Sequence, residues 1–338
     1  MLSIPKRILK GAIGRGFEWV MPLARTYEGM TIILMYHRVL DRRTEYFGED
    51  SIMVTPPTFE MHLQQLREIF DIVPLVEAIH PKDGKRRCVI TFDDGWLDTY
   101  ETAYPILRKY EIPATVFLPV ALMGSSNCFW FESVFDLARK MGAESKERAF
   151  IEYFRERIPS WRPANIERKG VSSLVVQMKK LPGPEIDDLI AQAYNWLKVG
   201  RPSRRYVMNW SEVTEMGLNG MTFGSHGLNH YILTSVDYSV KQKEIGTSFK
   251  ILKEMRIPGV SSVFSYPNGN WDDECLDLVQ EAGYLGAVTT GLGCNGAGTS
   301  RFRLKRVLLH EEISNTPSLF WFRIFQSFVA GAGPYVQG

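Results

Sequence analysis

Short apolar, β-branched runs alternate with stretches of helical periodicity along most of this chain, and no other feature restricts its fold as much. Residues 31–36 (Thr-Ile-Ile-Leu-Met-Tyr) form a continuous apolar run, as expected of a parallel strand covered on both faces. Similar runs lie at Cys88 to Ile90, Ala114 to Pro119, Met221 to Ser225, Val260 to Tyr266, Gly286 to Thr290 and Arg303 to Leu309, with a short strand or its remnant at Asp71 to Pro74. Between them, Thr58 to Phe70, Asp98 to Tyr110, Ser239 to Met255 and Asp272 to Ala282 read as helices. Thr58 and Ser211 are the expected N-caps of the first helix and of one starting at Trp210. Alternation of this kind predicts an α/β chain built on a parallel sheet or barrel.

From about 124 to 206 the alternation stops. Helical stretches at Glu132 to Lys140, Lys146 to Ile158 and Glu185 to Leu197 are joined by Pro159, Pro163 and Pro182-Gly183-Pro184. This reads as a helical insertion in a strand-to-helix loop, within one domain spanning 29–312. Loops at the C-terminal ends of strands are where such folds carry their active sites. Trp130 and Phe131, near its start, read as packing residues, with stacking on a sugar face as the alternative.

Composition excludes some partners. The net charge of +2 gives no concentrated basic face for nucleic acid. Cys88, Cys128, Cys275 and Cys294 are scattered without a CxxC, which fits reduced thiols in a cytoplasmic protein. No uncharged apolar run reaches membrane-spanning length. Residues 1–28 interleave Lys6, Arg7, Lys10, Arg15 and Arg25 with apolar residues at helical spacing. Such a basic amphipathic segment either lies on the inner, anionic face of a membrane or packs on its own domain. The 313–338 tail contains the apolar run Leu319 to Phe325, a docking helix or a second membrane-facing surface.

The chemistry concentrates at Thr91-Phe92-Asp93-Asp94-Gly95, directly after a buried run. Adjacent carboxylates raise each other's pKa unless a cation sits between them or one points elsewhere. Neighbouring strand residues face opposite ways, so one Asp can bind a metal while the other handles protons. The alternative is an ordinary Asp-Asp-Gly turn. His226 and His230 are spaced so that two imidazoles can reach one ion. Two histidines and one Asp make a three-ligand site with positions left for water, as a catalytic metal needs. His37 and His310 each end a strand.

Thr91 to Gly95, His226 to His230 and Phe264 to Gly269 (Phe-Ser-Tyr-Pro-Asn-Gly) resemble the first three motifs of the polysaccharide deacetylase family, the NodB-homology fold. Leu309-His310 resembles its last motif, and Ile33 to Val39 an opening strand common in bacterial members. The resemblance covers roughly 31–120 and 207–311. It implies a distorted, incomplete (β/α) barrel, a divalent metal (usually zinc, Zn2+), and hydrolysis of an N-acetyl group on a sugar. By motif, Asp94, His226 and His230 would bind the metal, Asp93 would be the general base and His310 the general acid. Tyr266, Pro267 and Asn268 would face the substrate, with a backbone N–H near Asn268 on the oxyanion.

The chain also departs from that pattern. Gly227 stands where a Ser or Thr usually braces the histidine loop, and Ser265 where an Arg usually steadies the catalytic Asp. Asn268 replaces an aromatic, and the Asp-containing fourth motif is not recognisable within 287–300. Arg306 or Arg303 on the last strand is expected to replace the missing Arg, and His37 reads as a structural residue bonding a neighbouring loop, with a substitute acid as the alternative. Two other readings use the same residues. A non-haem iron enzyme shares the ligand set but usually sits on a double-stranded β-helix. A carbohydrate-binding remnant would bind without turnover, though it has no use for a second carboxylate beside the metal. A nucleotide- or lipid-linked sugar of surface-polysaccharide assembly is the expected substrate.

Overall fold

The computed structural model of the protein describes residues 4–21, 28–41, 48–79, 85–126 and 128–331. Arg25, residues 42–47 and 81–84 of the expected loops, and 332–338 of the tail lie outside them. The strands are β1 (Thr31–Tyr36), β2 (Arg38–Val39), β3 (Met53–Val54), β4 (Asp71–Ile72), β5 (Arg87–Phe92), β6 (Thr115–Leu118), β7 (Thr222–Ser225), β8 (Val260–Ser265), β9 (Gly286–Leu292) and β10 (Leu304–Leu308). Seven of them, in the order β1-β10-β9-β8-β7-β6-β5, are parallel, and β1 pairs β5 from Thr31↔Arg87 to Tyr36↔Phe92 to close a barrel. β4 pairs with the start of β5 beside the ring, and β2 and β3 form a separate pair. The barrel thus has one strand fewer than an eight-stranded (β/α) barrel. Closure explains the uniform apolarity: every residue of β1, β5 and β6 is buried.

Helices cover the outside: α1 (Ile4–Val20), α2 (Pro56–Arg67), α3 (Leu75–Ala78), α4 (Tyr104–Lys109) and, after four inserted helices, α9 (Trp210–Leu218), α10 (Tyr238–Glu254), α11 (Asp273–Glu281), α12 (Glu311–Ser314) and α13 (Pro317–Gly331). Two caps differ from expectation. Helix α2 starts at Pro56, and its cap is Thr55, whose Oγ accepts from the Thr58 N–H. Proline needs no N–H partner in a first turn, so Pro56-Pro57 opens the helix and does not precede it. Asn209, not Ser211, caps α9, because Glu212 three residues on completes a capping box.

Between β6 and α9 lie α5 (Trp130–Ala143), α6 (Glu147–Arg157), α7 (Arg168–Met178) and α8 (Gly183–Leu197). They bury a core of their own around Phe135, Phe150, Trp161, Leu174 and Ile190. Sequence reading missed α7, whose Gly170, Ser172 and Ser173 lower helix propensity. Tertiary burial of Val171, Leu174, Val175 and Met178 overrides that preference.

At the other side of the barrel α1 lies along α13. Phe17 packs among Trp321, Phe325 and Phe328, and Gly14 lets the two backbones meet. No helix among the described residues is long and apolar enough to cross a membrane.

Candidate metal and catalytic site

The site sits at the C-terminal ends of the barrel strands. Backbone pairing puts its parts in register: the Asp93 N–H donates to the Tyr36 carbonyl, and the His226 N–H to that of Leu118. Asp93 continues the inward face of β5. Asp94 then leaves strand geometry with φ of 74°, and Gly95 follows at 60°, a conformation that glycine alone adopts without strain. The two carboxylates therefore diverge.

Asp94, His226 and His230 each offer one ligand atom, and these lie within 4.8 Å of one another. Asp94 Oδ1 is 3.4 Å from His226 Nε2 and 3.0 Å from His230 Nε2. Neighbouring groups orient two of the ligands, His226 and Asp94, while His230 Nδ1 is buried without a hydrogen-bond partner. His226 Nδ1 donates to the Ser265 carbonyl (2.8 Å), which leaves Nε2 as the inward atom. Trp96 Nε1 donates to Asp94 Oδ2 (2.9 Å), and the Arg38 guanidinium lies 4.2 Å from the Trp96 ring centroid. Asp94 Oδ1, by contrast, is buried with no hydrogen-bond donor. An orphaned carboxylate oxygen facing two imidazole nitrogens is what a cation fits.

Asp93 is held differently. Both its oxygens accept from Arg306, Oδ1 from Nη1 and Oδ2 from Nη2, each at 2.7 Å. Arg306 is wholly buried on β10, and its other donors reach the Thr289 carbonyl, Thr91 Oγ1 and Ser265 Oγ. Arg303, the other candidate, is exposed and lies over Trp271.

Electrostatics follow from this packing. Burial alone would raise the Asp93 carboxyl; Arg306 and His226 outweigh it and hold it below the usual range. Burial likewise opposes ionisation of Asp94, but His230 and His226 hold it well below. Burial works against a charged His226, yet Asp93 and Asp94 raise it above its ordinary value. Two buried carboxylates thus demand positive charge nearby. Burial lowers His37, with Asp94 and Asp93 pulling the other way.

A cavity of about 370 Å3 opens over these groups, lined by His37, Asp93, Asp94, His226, His230 and Asn268. Trp130 and Phe131 line it too, so both border the cavity as well as packing. The inserted helices close one side, where Lys179 donates to Asn268 Oδ1 at 2.8 Å.

Three expected site residues stand apart from this cavity. His310 is not among its lining residues: it lies beyond β10 and precedes α12, its carbonyl accepting from Ser314. Tyr266 spends its N–H on the Val288 carbonyl and its hydroxyl on that of Phe302, inside a core cluster. Pro267 has no N–H to give and borders Gly227. Asn268 alone of that trio reaches the cavity, with φ of 57°.

Sequence reading also missed Glu244. Its buried carboxylate accepts from the N–H groups of Leu228 (3.0 Å) and Asn229 (2.8 Å) and from Asn229 Nδ2 (2.6 Å). It braces the His226–His230 loop beside Gly227, where a Cβ would come 3.1 Å from Glu244 Oε2. Nothing in the polar pattern of α10 marks this Glu as buried. Trp96 had a signal, its place directly after Gly95.

The polysaccharide deacetylase family profile matches residues 80–146 and 191–287, on both sides of the inserted helices. YxkH of Bacillus subtilis (strain 168), provisionally named a polysaccharide deacetylase, is 21% identical over 290 residues, 84% of this chain and 73% of that protein. Poly-beta-1,6-N-acetyl-D-glucosamine N-deacetylase of Staphylococcus aureus is 32% identical over 114 residues, 30% of this chain and 39% of that one. Among solved structures, Streptococcus pyogenes deacetylase PplD in complex with acetate shares the fold, with a TM-score of 0.58 and 19% identity over 89% of this chain and 99% of that one. IcaB from Ammonifex degensii does so at 0.56 and 17%, over 88% and 97%. These matches support a carbohydrate deacetylase. In sequence and in fold, the chain is a relative of the polysaccharide deacetylases.

Proposed function

We propose that the chain hydrolyses the N-acetyl group of a sugar, with a divalent metal held by Asp94, His226 and His230. One observation carries the reading: three ligand atoms converge beside a second carboxylate, Asp93, that an arginine holds ionised. A metal bound there would polarise the acetyl carbonyl and acidify a water. Asp93 then takes the proton of the attacking water, since it stays ionised and faces the cavity. The acid role goes to His37 in preference to His310, because His37 shares the cavity with both carboxylates. As the imidazolium it gives a proton to the amine nitrogen while the carbon–nitrogen bond breaks, leaving acetate and a free amino sugar; solvent then removes the proton from Asp93 and returns one to His37. The backbone at Asn268 faces the acetyl oxygen. Arg306 positions Asp93 and is not itself a proton donor.

The Staphylococcus aureus relatives make N-acetylglucosamine units the first substrate class to try. The test is to purify the full chain and its Asp93→Asn variant, quantify metal in both, and measure acetate from a panel of N-acetylated sugars. Zinc in both, with acetate lost in the variant, is expected. A well-folded protein without metal would overturn the ligand assignment, and metal without acetate from any sugar would favour a binding remnant. His37→Gln should lose activity while His310→Gln keeps most of it; the opposite result returns the acid role to His310.

A further inference from the structure

Helix α1 presents two apolar faces, and only one of them is covered. Phe17 and Met21 pack inward on α13, and Gly11 and Gly14 face the same way. At 100° per residue the opposite face carries Ile8, Leu9, Ile13, Trp19 and Val20, all exposed, with Trp19 at 80%, Ile8 at 65% and Leu9 at 63%. A surface helix of a globular protein turns charged residues outward; this one turns Trp19 and four aliphatic side chains outward and keeps Lys6 and Arg15 at their rim. Lys6 lies on one edge and Arg15 on the other, and Lys10 sits near Phe322 of α13. The helix contains one acid, Glu18, on its packed side.

We infer that this face of α1 docks the protein on an anionic lipid bilayer, with the helix lying in the plane of the surface. Apolar residues enter the acyl boundary, Trp19 takes the interfacial position that tryptophan favours, and the flanking cations meet lipid phosphates. A notch of about 300 Å3 beside the face, lined by Arg7, Arg15, Thr316 and Ser318 among others, adds donors at the headgroup level. A second copy docked on the same face would set its cationic rim against an identical one, whereas an anionic surface complements it. The first residues of α1 lie beside α12 and α13, where the Arg7 guanidinium donates to Asn315 Oδ1 at 2.8 Å. Asn315 follows β10 directly through α12, so one end of the docking face sits towards the edge of the barrel that bears the site.

The test is co-sedimentation of the full chain with vesicles of phosphatidylcholine alone or mixed with phosphatidylglycerol. Binding should rise at least about tenfold with the anionic lipid and weaken as salt is raised. The Leu9→Asp/Ile13→Asp variant should lose at least about tenfold in binding with an unchanged melting curve, because both side chains already face outward. Brominated lipid should quench part of the tryptophan emission, and that part should vanish in Trp19→Phe. Equal sedimentation of variant and parent, or none by the parent, would overturn the inference. So would a parent that dimerises and a variant that does not, with vesicle binding the same in both.

Discussion

Replacing Arg306 by Met should cost about 3–5 kcal/mol of folding stability in the metal-free protein. The pair it breaks is fully enclosed: Arg306 is 0% exposed and Asp93 2%, with two charge-assisted bonds of 2.7 Å. Removing one partner of a buried pair leaves an uncompensated charge, and costs of about that size follow. The orphaned Thr289 carbonyl contributes to the loss. The pH dependence has a definite sign. In the parent the Asp93 carboxyl is held below its usual range, so its stabilisation is present above that range and disappears as the pH falls through the folded value. Without Arg306, burial acts unopposed and raises the carboxyl. The deficit of the variant should therefore be largest near neutral pH and shrink as the pH falls, because the raised carboxyl of the variant takes up its proton first. Urea denaturation at neutral and mildly acidic pH measures this, and Asp93→Asn added to the variant should recover part of the loss. A variant within about 1 kcal/mol of the parent at neutral pH, or a deficit independent of pH, would refute the reasoning.

Trp96→Phe removes the donor to Asp94 Oδ2 and should weaken metal binding about 10- to 100-fold in a chelator competition; unchanged affinity would make Trp96 a packing residue only. Glu244→Ala strands the N–H groups of Leu228 and Asn229 and should cost about 1–3 kcal/mol in urea denaturation, with a smaller loss for Glu244→Gln. Two neighbouring glycines of α1 should respond oppositely. Gly14→Ala puts a Cβ 1.8 Å from the Ser318 carbonyl oxygen and should expose α1 to limited proteolysis. Gly16→Ala meets nothing within 4 Å and should stabilise by about 0.5–1 kcal/mol.

The barrel was legible because its strands are covered on both faces, so each reads as an unbroken apolar run. Asp93-Asp94 and His226-x-x-x-His230 were legible because their geometry is set within five residues. What escaped depends on tertiary context. Helix α7 exists because its apolar stripe has a core to enter, and Glu244 acts across a gap of 15 residues. Thr58 and Ser211 satisfy the composition rule for a cap, but where the helix starts decides which residue has its oxygen at the open N–H groups.

Arg306 lies between these cases. Residues two apart on a strand share a face. Ile33, Val89, Val263, Val288 and Leu304 pack together with Phe117 in one cluster. Two residues on from three of them come Thr91, Ser265 and Arg306, which bond to one another as the next layer. Two further along, just past the end of β5, is Asp93. An arginine at an inward position of a strand covered on both faces must find a carboxylate. The resemblance leads one to expect that arginine at residue 265 of β8; here the same layer receives it from β10, and Ser265 donates the vacated volume and a hydroxyl that accepts from it. In the closed ring one strand, β9, separates these positions, yet both point at the one axis on which Asp93 sits. The motif is therefore better stated as a layer than as a string: the barrel requires one guanidinium at that height, and any inward position of that layer within reach of Asp93 can supply it.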